Sequence, residues 1–390
     1  MKPMTQFPLF FLTACEASGD RIGASIIKAL HDQYPNAQFI GVAGPLMRAA
    51  GCTAIRHQED LAIMGLLDVL KQLAYLLKAR RQIAKKALFL KPLVYIGIDA
   101  PDFNLPIEAQ LKTQGIKTVH VNSPSVWAWR ASRIKKIKKS VDLMLTLFPF
   151  ETKIYEKNNI PVKFIGHPLA TLIPRDSQKI SARDQLGISS EQKCLVIMPG
   201  SRTGDLKHLT PLFIQAAKIC LTQMPSLLIL APMINEHCAE QFRQVLRQEN
   251  AEHLSIKISI GNAPLALQAS DATLIKSGTG TLEALLCKTP MVVAYKTDAL
   301  TAWIVRKLIQ TPYVSLPNIL ANRCLVPELL QQDARAENLA HECLALLNNC
   351  ECSELFQAFD SIHETLQQDS AGNAAAAIIE MSNTKYTQTT

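Results

Sequence analysis

ATLIKSGTGTLEALL, residues 272–286, runs from a short apolar stretch through a turn of small residues into a helix-forming sequence. That order, strand to glycine turn to helix, is the shape of a phosphate site. Gly278 and Gly280 let backbone N–H groups come close to a ligand, and Thr279 or Thr281 is placed to cap the helix. The free N–H groups and the positive end of the helix dipole then favour an anion. Glu283 follows about one turn into the helix, where a carboxylate can accept hydrogen bonds from two vicinal hydroxyls such as those of a nucleotide ribose. A plain strand-to-helix connection closed by a hydroxyl cap needs the same residues, so the turn alone leaves both readings open.

The unit repeats along the chain. Residues 194–198 lead into Pro199, Gly200, Ser201, Arg202, Thr203, Gly204 and Asp205 and a helix from about 206, now with an arginine whose planar fork suits diphosphate oxygens. Near the start, a strand over 7–14 meets Cys15, Glu16, Ala17, Ser18, Gly19 and Asp20, and then a helix spaced by Ile22, Ile26, Ile27 and Leu30. Further strands are expected at 38–42, 93–98, 117–121, 143–147 and 162–165, and again at 227–230, 256–258 and 291–294, mostly with helices between. Continuous apolar strands alternating with helices mean a parallel sheet covered on both faces, and the chain reads as two of them. Gly166, His167, Pro168 and Pro174 mark a linker, giving domains at 1–167 and 168–350 and a terminal segment, 351–390, of helix and polar tail. Helices are expected near 326–348 and 353–381, whereas 311–320 is too proline-rich for one.

Ligands of open α/β sheets gather outside the carboxyl ends of the strands. The strand at 93–98 ends in Asp99, Ala100, Pro101 and Asp102, so Asp99 stands where a general base is useful, with a helix cap by Asp99 or Asp102 as the competing reading. Trp127 and Trp129 sit in the next such loop, either for a sugar or lipid or packed beneath it, and the basic run Arg130, Arg133, Lys135, Lys136, Lys138 and Lys139 overlaps and follows them. Residues 61–77 are too apolar for an ordinary surface helix and run into Lys78, Arg80, Arg81, Lys85 and Lys86. Such a segment lies in a membrane interface, lines a groove for acyl chains, or packs in the core with a basic solvated end.

With 390 residues, 48% of them hydrophobic and 19% charged, the chain has room for two or three domains and is not disordered. Its ten cysteines are scattered without a C-x-x-C pair, which excludes a disulfide framework and a zinc site and fits reduced cytoplasmic thiols. The net charge of +8 is uneven: residues 1–170 hold 23 Lys and Arg against 12 Asp and Glu, the remainder 18 against 21. The first half therefore faces something anionic, a phospholipid surface or a phosphorylated substrate; no nucleic-acid module accompanies the charge. Leu12, Thr13, Ala14 and Cys15 look like a lipoprotein cleavage box, but the apolar run before them is short and Lys2 is its only preceding charge, so a first buried strand accounts for them better. No run of about 18 apolar residues marks a membrane span.

Two such sheets with phosphate-type turns and a central linker describe a GT-B glycosyltransferase fold. EASGD at 16–20, GIDAPDFN at 97–104, SPSVWAWR at 123–130, IGHP at 165–168, PGSR at 199–202, SGT with TLEA at 277–284 and TPYVSLPN at 311–318 resemble the lipid-A-disaccharide synthases of Gram-negative bacteria, in consistent order from about residue 8 to 345. The resemblance implies two Rossmann-like domains facing across a cleft, the first on the acceptor and membrane side and the second binding the UDP-sugar. The activity it implies is an inverting transfer of 2,3-diacylglucosamine from UDP-2,3-diacylglucosamine to the 6-hydroxyl of 2,3-diacylglucosamine 1-phosphate, giving a β-1,6-linked disaccharide 1-phosphate and UDP. It implies no metal and no cofactor, since GT-B enzymes generally stabilise the departing diphosphate with helix N-termini and basic side chains. In that scheme Asp99 is the base, Arg202 holds the diphosphate, Ser277, Gly278 and Thr279 add donors, Glu283 holds the ribose, Asn318 reaches the nucleotide from a neighbouring loop, and Glu16, Ser18 and Gly19 line the opposite wall. It places the enzyme in the cytoplasm, peripherally at inner-membrane phospholipids, and leaves a homodimer open. Cys15, Asp205, Lys276 and Gly280 depart from the family's usual pattern, which has a glycine, a glutamate and other small residues there. The rival readings are a UDP-sugar 2-epimerase of the same architecture and a non-catalytic lipid- or nucleotide-binding protein anchored through Cys15.

Overall fold

The computed structural model describes residues 7–62, 69–124, 126, 133–297, 311–348 and 353–383, with the backbone alone at 61, 62, 69–73 and 203. It divides into two compact units, one made of Met1–Pro168 with Leu366–Thr390 and the other of Leu169–Thr365. The first holds a seven-stranded sheet of β1 (Leu9–Ala14), β2 (Gln38–Ala43), β3 (Cys52–His57), β4 (Val94–Ile98), β5 (Lys117–Val121), β6 (Leu143–Thr146) and β7 (Val162–Phe164) in the order β3-β2-β1-β4-β5-β6-β7. The second holds six strands, β8 (Cys194–Met198), β9 (Leu228–Met233), β10 (Ile256–Ile260), β11 (Ala272–Lys276), β12 (Met291–Tyr295) and β13 (Glu328–Leu330), in the order β10-β9-β8-β11-β12-β13. Every strand pairing in both sheets is parallel.

The expected strands all form, and two that the pattern does not announce form as well. β3 carries Arg56 and His57 on a half-exposed edge, and β13 is only three residues long, so neither shows a continuous apolar run. The helix expected from 326 starts only at Ala336, because Glu328–Leu330 pairs with β12 instead. The long terminal helix is two helices, Ser353–Leu366 and Ser370–Asn383, the second begun by Asp369, which accepts the Gly372 N–H at 2.9 Å. Its Ala374, Ala375, Ala377 and Ile378 pack with Phe10, Leu12, Ile26 and Leu145, so the last described helix completes the core of the first unit. A short helix, Leu316–Ala321, also forms where prolines argued against one; Pro317 lies in its first turn, where the missing N–H costs nothing. In the helix Val69–Leu90, Ala79, Ile83, Ala84 and Ala87 are buried while Lys78, Arg81, Lys85 and Lys86 face solvent. The described part is thus a core helix with a basic outer face; the apolar side chains upstream of residue 74 lie outside the described residues.

Cleavage before Cys15 would delete β1, which pairs with β2 on one side and β4 on the other, so that processing and this sheet exclude one another. The Cys15 thiol is buried and pushed up to about 12, chiefly by burial and then by Glu16 and Asp99. Beneath the sheet, Glu108 and His120 are both fully buried and meet at 2.7 Å. Burial pushes the Glu108 carboxyl up from its ordinary value, and the imidazole opposes that. The pair fits only because position 97 is glycine: a Cβ there would stand 2.0 Å from Glu108 Oε1.

Removing one member of a buried polar pair strands the other. His120→Ala is expected to cost about 3 kcal/mol of unfolding free energy in urea, and a change under about 1 kcal/mol would show the pair to be dispensable. His167, beside the Phe148 ring, is pushed down to about 4 by burial. The native state then binds fewer protons than the unfolded chain, so stability present above the ordinary histidine value of 6.5 is lost as pH falls towards 4. Between about pH 7 and pH 5 this amounts to about 2 kcal/mol, and His167→Gln should lose that part of the pH slope.

Candidate functional site

In the second unit the chain leaves β8 towards β9 on one side and crosses back to β11 on the other. The helices after β8 and β11 therefore diverge, and a crevice opens between their turns, the usual ligand position of such a sheet. Ile275 pairs with Met198, so the two turns begin side by side. After β8, Gly200 takes φ +116, and a Cβ there would sit 2.8 Å from Asp205 Cβ. Arg202 is the N-cap residue of the helix Thr203–Gln223, extended and exposed. The backbone N–H groups of Gly200, Ser201 and Arg202 find no acceptor among the described residues.

After β11, the N–H groups of Gly278 and Thr279 are likewise unpaired among the described residues, and the space around Gly278 is open. The expected hydroxyl cap does not form. Thr279 occupies the N-cap of the helix Gly280–Leu286 without a side-chain cap bond, and the Thr281 hydroxyl turns back to donate to Gly278 O at 2.7 Å. Ser277 donates its N–H to Ala294 O at 3.0 Å and its hydroxyl to Val314 O at 2.7 Å, so its hydroxyl ties down the neighbouring loop. Glu283 is half-buried one turn in.

Asn318 is fully buried, and its amide is used within the protein. Its Nδ2 donates to Val326 O at 2.9 Å and to Glu328 Oε1 at 2.8 Å, while its Oδ1 accepts from the N–H groups of Leu325 at 2.7 Å and Val326 at 3.0 Å. Glu328 completes the arrangement by accepting from Val314 N, Ser315 N and Ser315 Oγ at 3.0, 2.9 and 2.6 Å. Sequence reading passed over Glu328. The signal was a lone carboxylate in the apolar run at 325–330, which must find donors once buried.

The first unit repeats the divergence at β1 and β4. Glu16, Ser18 and Gly19 follow β1 and Asp99 follows β4, so all four meet at one crevice. Gly19 is buried where the helix Ala17–Gln33 crosses the strand ends; Glu16 and Ser18 are exposed. The half-exposed Asp99 carboxylate accepts from Ser18 Oγ at 3.0 Å and, on its other oxygen, from Asn122 Nδ2. Asp99 and Ala100 take φ +53 and +42, two consecutive left-handed residues without glycine. Asn104, fully buried, holds this strained corner by donating to Ile98 O at 3.2 Å and Asp99 O at 2.9 Å. The alternative capping role is not taken: Ala100 is the N-cap of the helix Pro101–Thr113, and Asp102 pairs with Arg133 at 2.7 Å. Asp20 closes the turn after β2, accepting from Gly44, Leu46 and Met47 N–H groups at 2.9, 2.9 and 3.0 Å. Asn104 and Asn122, which hold the backbone and carboxylate of the candidate Asp99, were not singled out by sequence reading; nothing in local pattern separates them from ordinary loop asparagines. Trp127, Trp129 and Arg130 lie outside the described residues.

The sequence model of the Lipid-A-disaccharide synthetase family matches residues 10–380. The chain is 47% identical over 378 residues to the lipid-A-disaccharide synthase of Pseudomonas savastanoi pv. phaseolicola, covering 97% of this chain and 98% of that one. It is 45% identical over 379 residues to the lipid-A-disaccharide synthase of Actinobacillus pleuropneumoniae serotype 7, covering 96% of each. Among solved structures it is similar to MurG of Acinetobacter baumannii, with a TM-score of 0.56 at 13% identity over 96% of this chain and 99% of that one. It is also similar to UDP-GlcNAc 2-epimerase from Neisseria meningitidis, with a TM-score of 0.61 at 12% identity over 95% and 98%. At such identities the structural likeness shows the fold alone, the GT-B fold.

Glu328→Ala should leave two backbone amides and the Asn318 amide short of an acceptor, at a cost of about 2 kcal/mol. Hydrogen exchange should rise at 314–318 while exchange in the first unit stays unchanged, and an unaltered loop would show that Glu328 is not its anchor.

Proposed function

The chain belongs to the lipid-A-disaccharide synthetase family, and from that membership we propose how this glycosyltransferase of lipid A biosynthesis divides its work between the two units. The donor is UDP-2,3-diacylglucosamine and the acceptor 2,3-diacylglucosamine 1-phosphate. Asp99 takes the proton of the acceptor 6-hydroxyl as its oxygen attacks the anomeric carbon. The α-linked UDP departs with the bonding pair, and the new glycosidic bond is β. What supports Asp99 as base is its position just beyond β4, half-exposed, with Ser18 and Asn122 each directing one oxygen. Glu16 and Gly19 line the same crevice.

On the donor side, Arg202 and the unpaired N–H groups of Gly278 and Thr279 take the diphosphate, with charge growing on it as the bond breaks. Ser277 fixes the neighbouring loop through Val314 and Glu283 accepts from the ribose. Asn318 serves the nucleotide through the loop that it and Glu328 hold. Contact with an anionic membrane surface is supported by the outward-facing Lys135, Lys136, Lys138 and Lys139 of the helix Arg133–Ser140 together with the basic face of Val69–Leu90. Among the described residues no helix is long and apolar enough to cross a membrane, consistent with a peripheral encounter at the cytoplasmic face of the inner membrane. The epimerase reading rests on likeness of fold alone.

The test is UDP release on mixing the protein with both lipids. Release should require both, and Asp99→Ala should lower it about 100-fold or more, the usual cost of losing a general base. Release persisting in the variant would move the base elsewhere; UDP bound without release would return the epimerase or binding-protein readings.

A further inference from the structure

Lys276 ends β11 and Asp205 lies in the first turn of the helix Thr203–Gln223, so each belongs to a different one of the two turns that flank the crevice of the second unit. Their side chains cross it. Lys276 Nζ donates to Asp205 Oδ2 at 2.8 Å, with the two side chains 17% and 21% exposed. The contact occupies one of the three ammonium N–H groups; the other two have no protein acceptor among the described residues. Beside them stand the exposed Arg202 and the unpaired N–H groups of Gly200 and Gly278.

Largely withdrawn from solvent, such a pair is weak evidence for stability, because the desolvation of both charges offsets their attraction. Its location is more informative. A lone carboxylate at Asp205 would repel a diphosphate entering the crevice, while a lone ammonium at the end of β11 would be free to swing into solvent. We propose that Lys276 is a second cationic contact for the donor diphosphate, held over the crevice by Asp205 and turning its spare N–H groups to a phosphate oxygen when the nucleotide binds. The inference rests on the reading of this crevice as the donor site, and it gives Arg202 a partner: the arginine approaches from the turn after β8 and the lysine from the end of β11. Two cations on opposite sides of a diphosphate stabilise it in the ground state and more so as the leaving group gains charge.

Isothermal titration of the full-length protein with UDP and with uridine tests it, since only UDP carries the diphosphate. Lys276→Ala is expected to weaken UDP about tenfold or more and leave uridine unchanged. Lys276→Gln, which keeps an N–H donor for Asp205, guards against a folding defect and should show the same loss. The double variant Lys276→Ala with Asp205→Ala should remain weak. Recovery of UDP affinity in the double variant would overturn the proposal, because Lys276 would then serve only to neutralise Asp205. Equal weakening of UDP and uridine, or unchanged UDP affinity, would also overturn it by making the pair structural. Wild-type protein that binds uridine but gains nothing from the diphosphate would sink the donor-site reading itself, a result distinguishable from failure of the variants alone.

Discussion

Helices that follow adjacent parallel strands cover the sheet only if they pack beside one another, and where the chain reverses its direction of travel across the sheet they cannot. The gap this leaves is lined by strand ends, helix N-termini and unpaired N–H groups, the polar remainder of an otherwise apolar sandwich. Both units here place that gap at their first strand, between β1 and β4 and between β8 and β11. Every candidate residue except Asn318 falls on one of the four segments bordering those gaps. The segments differ in what they carry: carboxylates and neutral donors in the first unit, and in the second Arg202, Lys276 and bare amides together with the carboxylates Asp205 and Glu283.

Strain is confined to the same places. Two consecutive left-handed residues at Asp99 and Ala100 cost a few kcal/mol between them, and the corner persists because Asn104 satisfies the two carbonyls that the bend turns inward. Gly200 does the equivalent work in the second unit without strain, lacking the Cβ that would collide with Asp205. One corner aims a side chain, the other lets the turn close against Asp205.

The architecture was legible because a parallel sheet buried on both faces writes its strands as apolar runs, and each run ended in a recognisable turn. What stayed hidden was short or polar: β3 with Arg56 and His57, β13 with three residues, and the break at 367–369 that sends the last described helix to the first unit. The candidate site residues are those that the family's motifs name. Their supports were not legible, because Asn122, Asn104 and Glu328 act through partners 23, 5 and 13 residues away or the like, and local pattern carries no information about such pairings. The hydroxyl cap expected at Thr279 or Thr281 failed for the same reason, since Thr281 faces a loop near Leu316 that the local sequence does not contain.

Three carboxylates of the first unit show how the fold assigns different work to one chemical group. Asp20 accepts three backbone N–H bonds and is 2% exposed, so both its oxygens are spent on holding a turn. Glu108 is sealed against His120 beneath β4 and β5, where no substrate reaches it. Asp99 alone combines exposure with incomplete use: each oxygen takes one neutral donor, Ser18 on one and Asn122 on the other. A carboxylate oxygen offers about two acceptor sites, so each keeps one for an incoming hydroxyl. Neutral donors fix the direction of the carboxylate and leave it without a counter-ion, whereas Asp102 three residues on is paired with the Arg133 guanidinium. A base must be oriented and still have acceptor sites for an incoming hydroxyl, and of these three carboxylates Asp99 is the one whose geometry offers both.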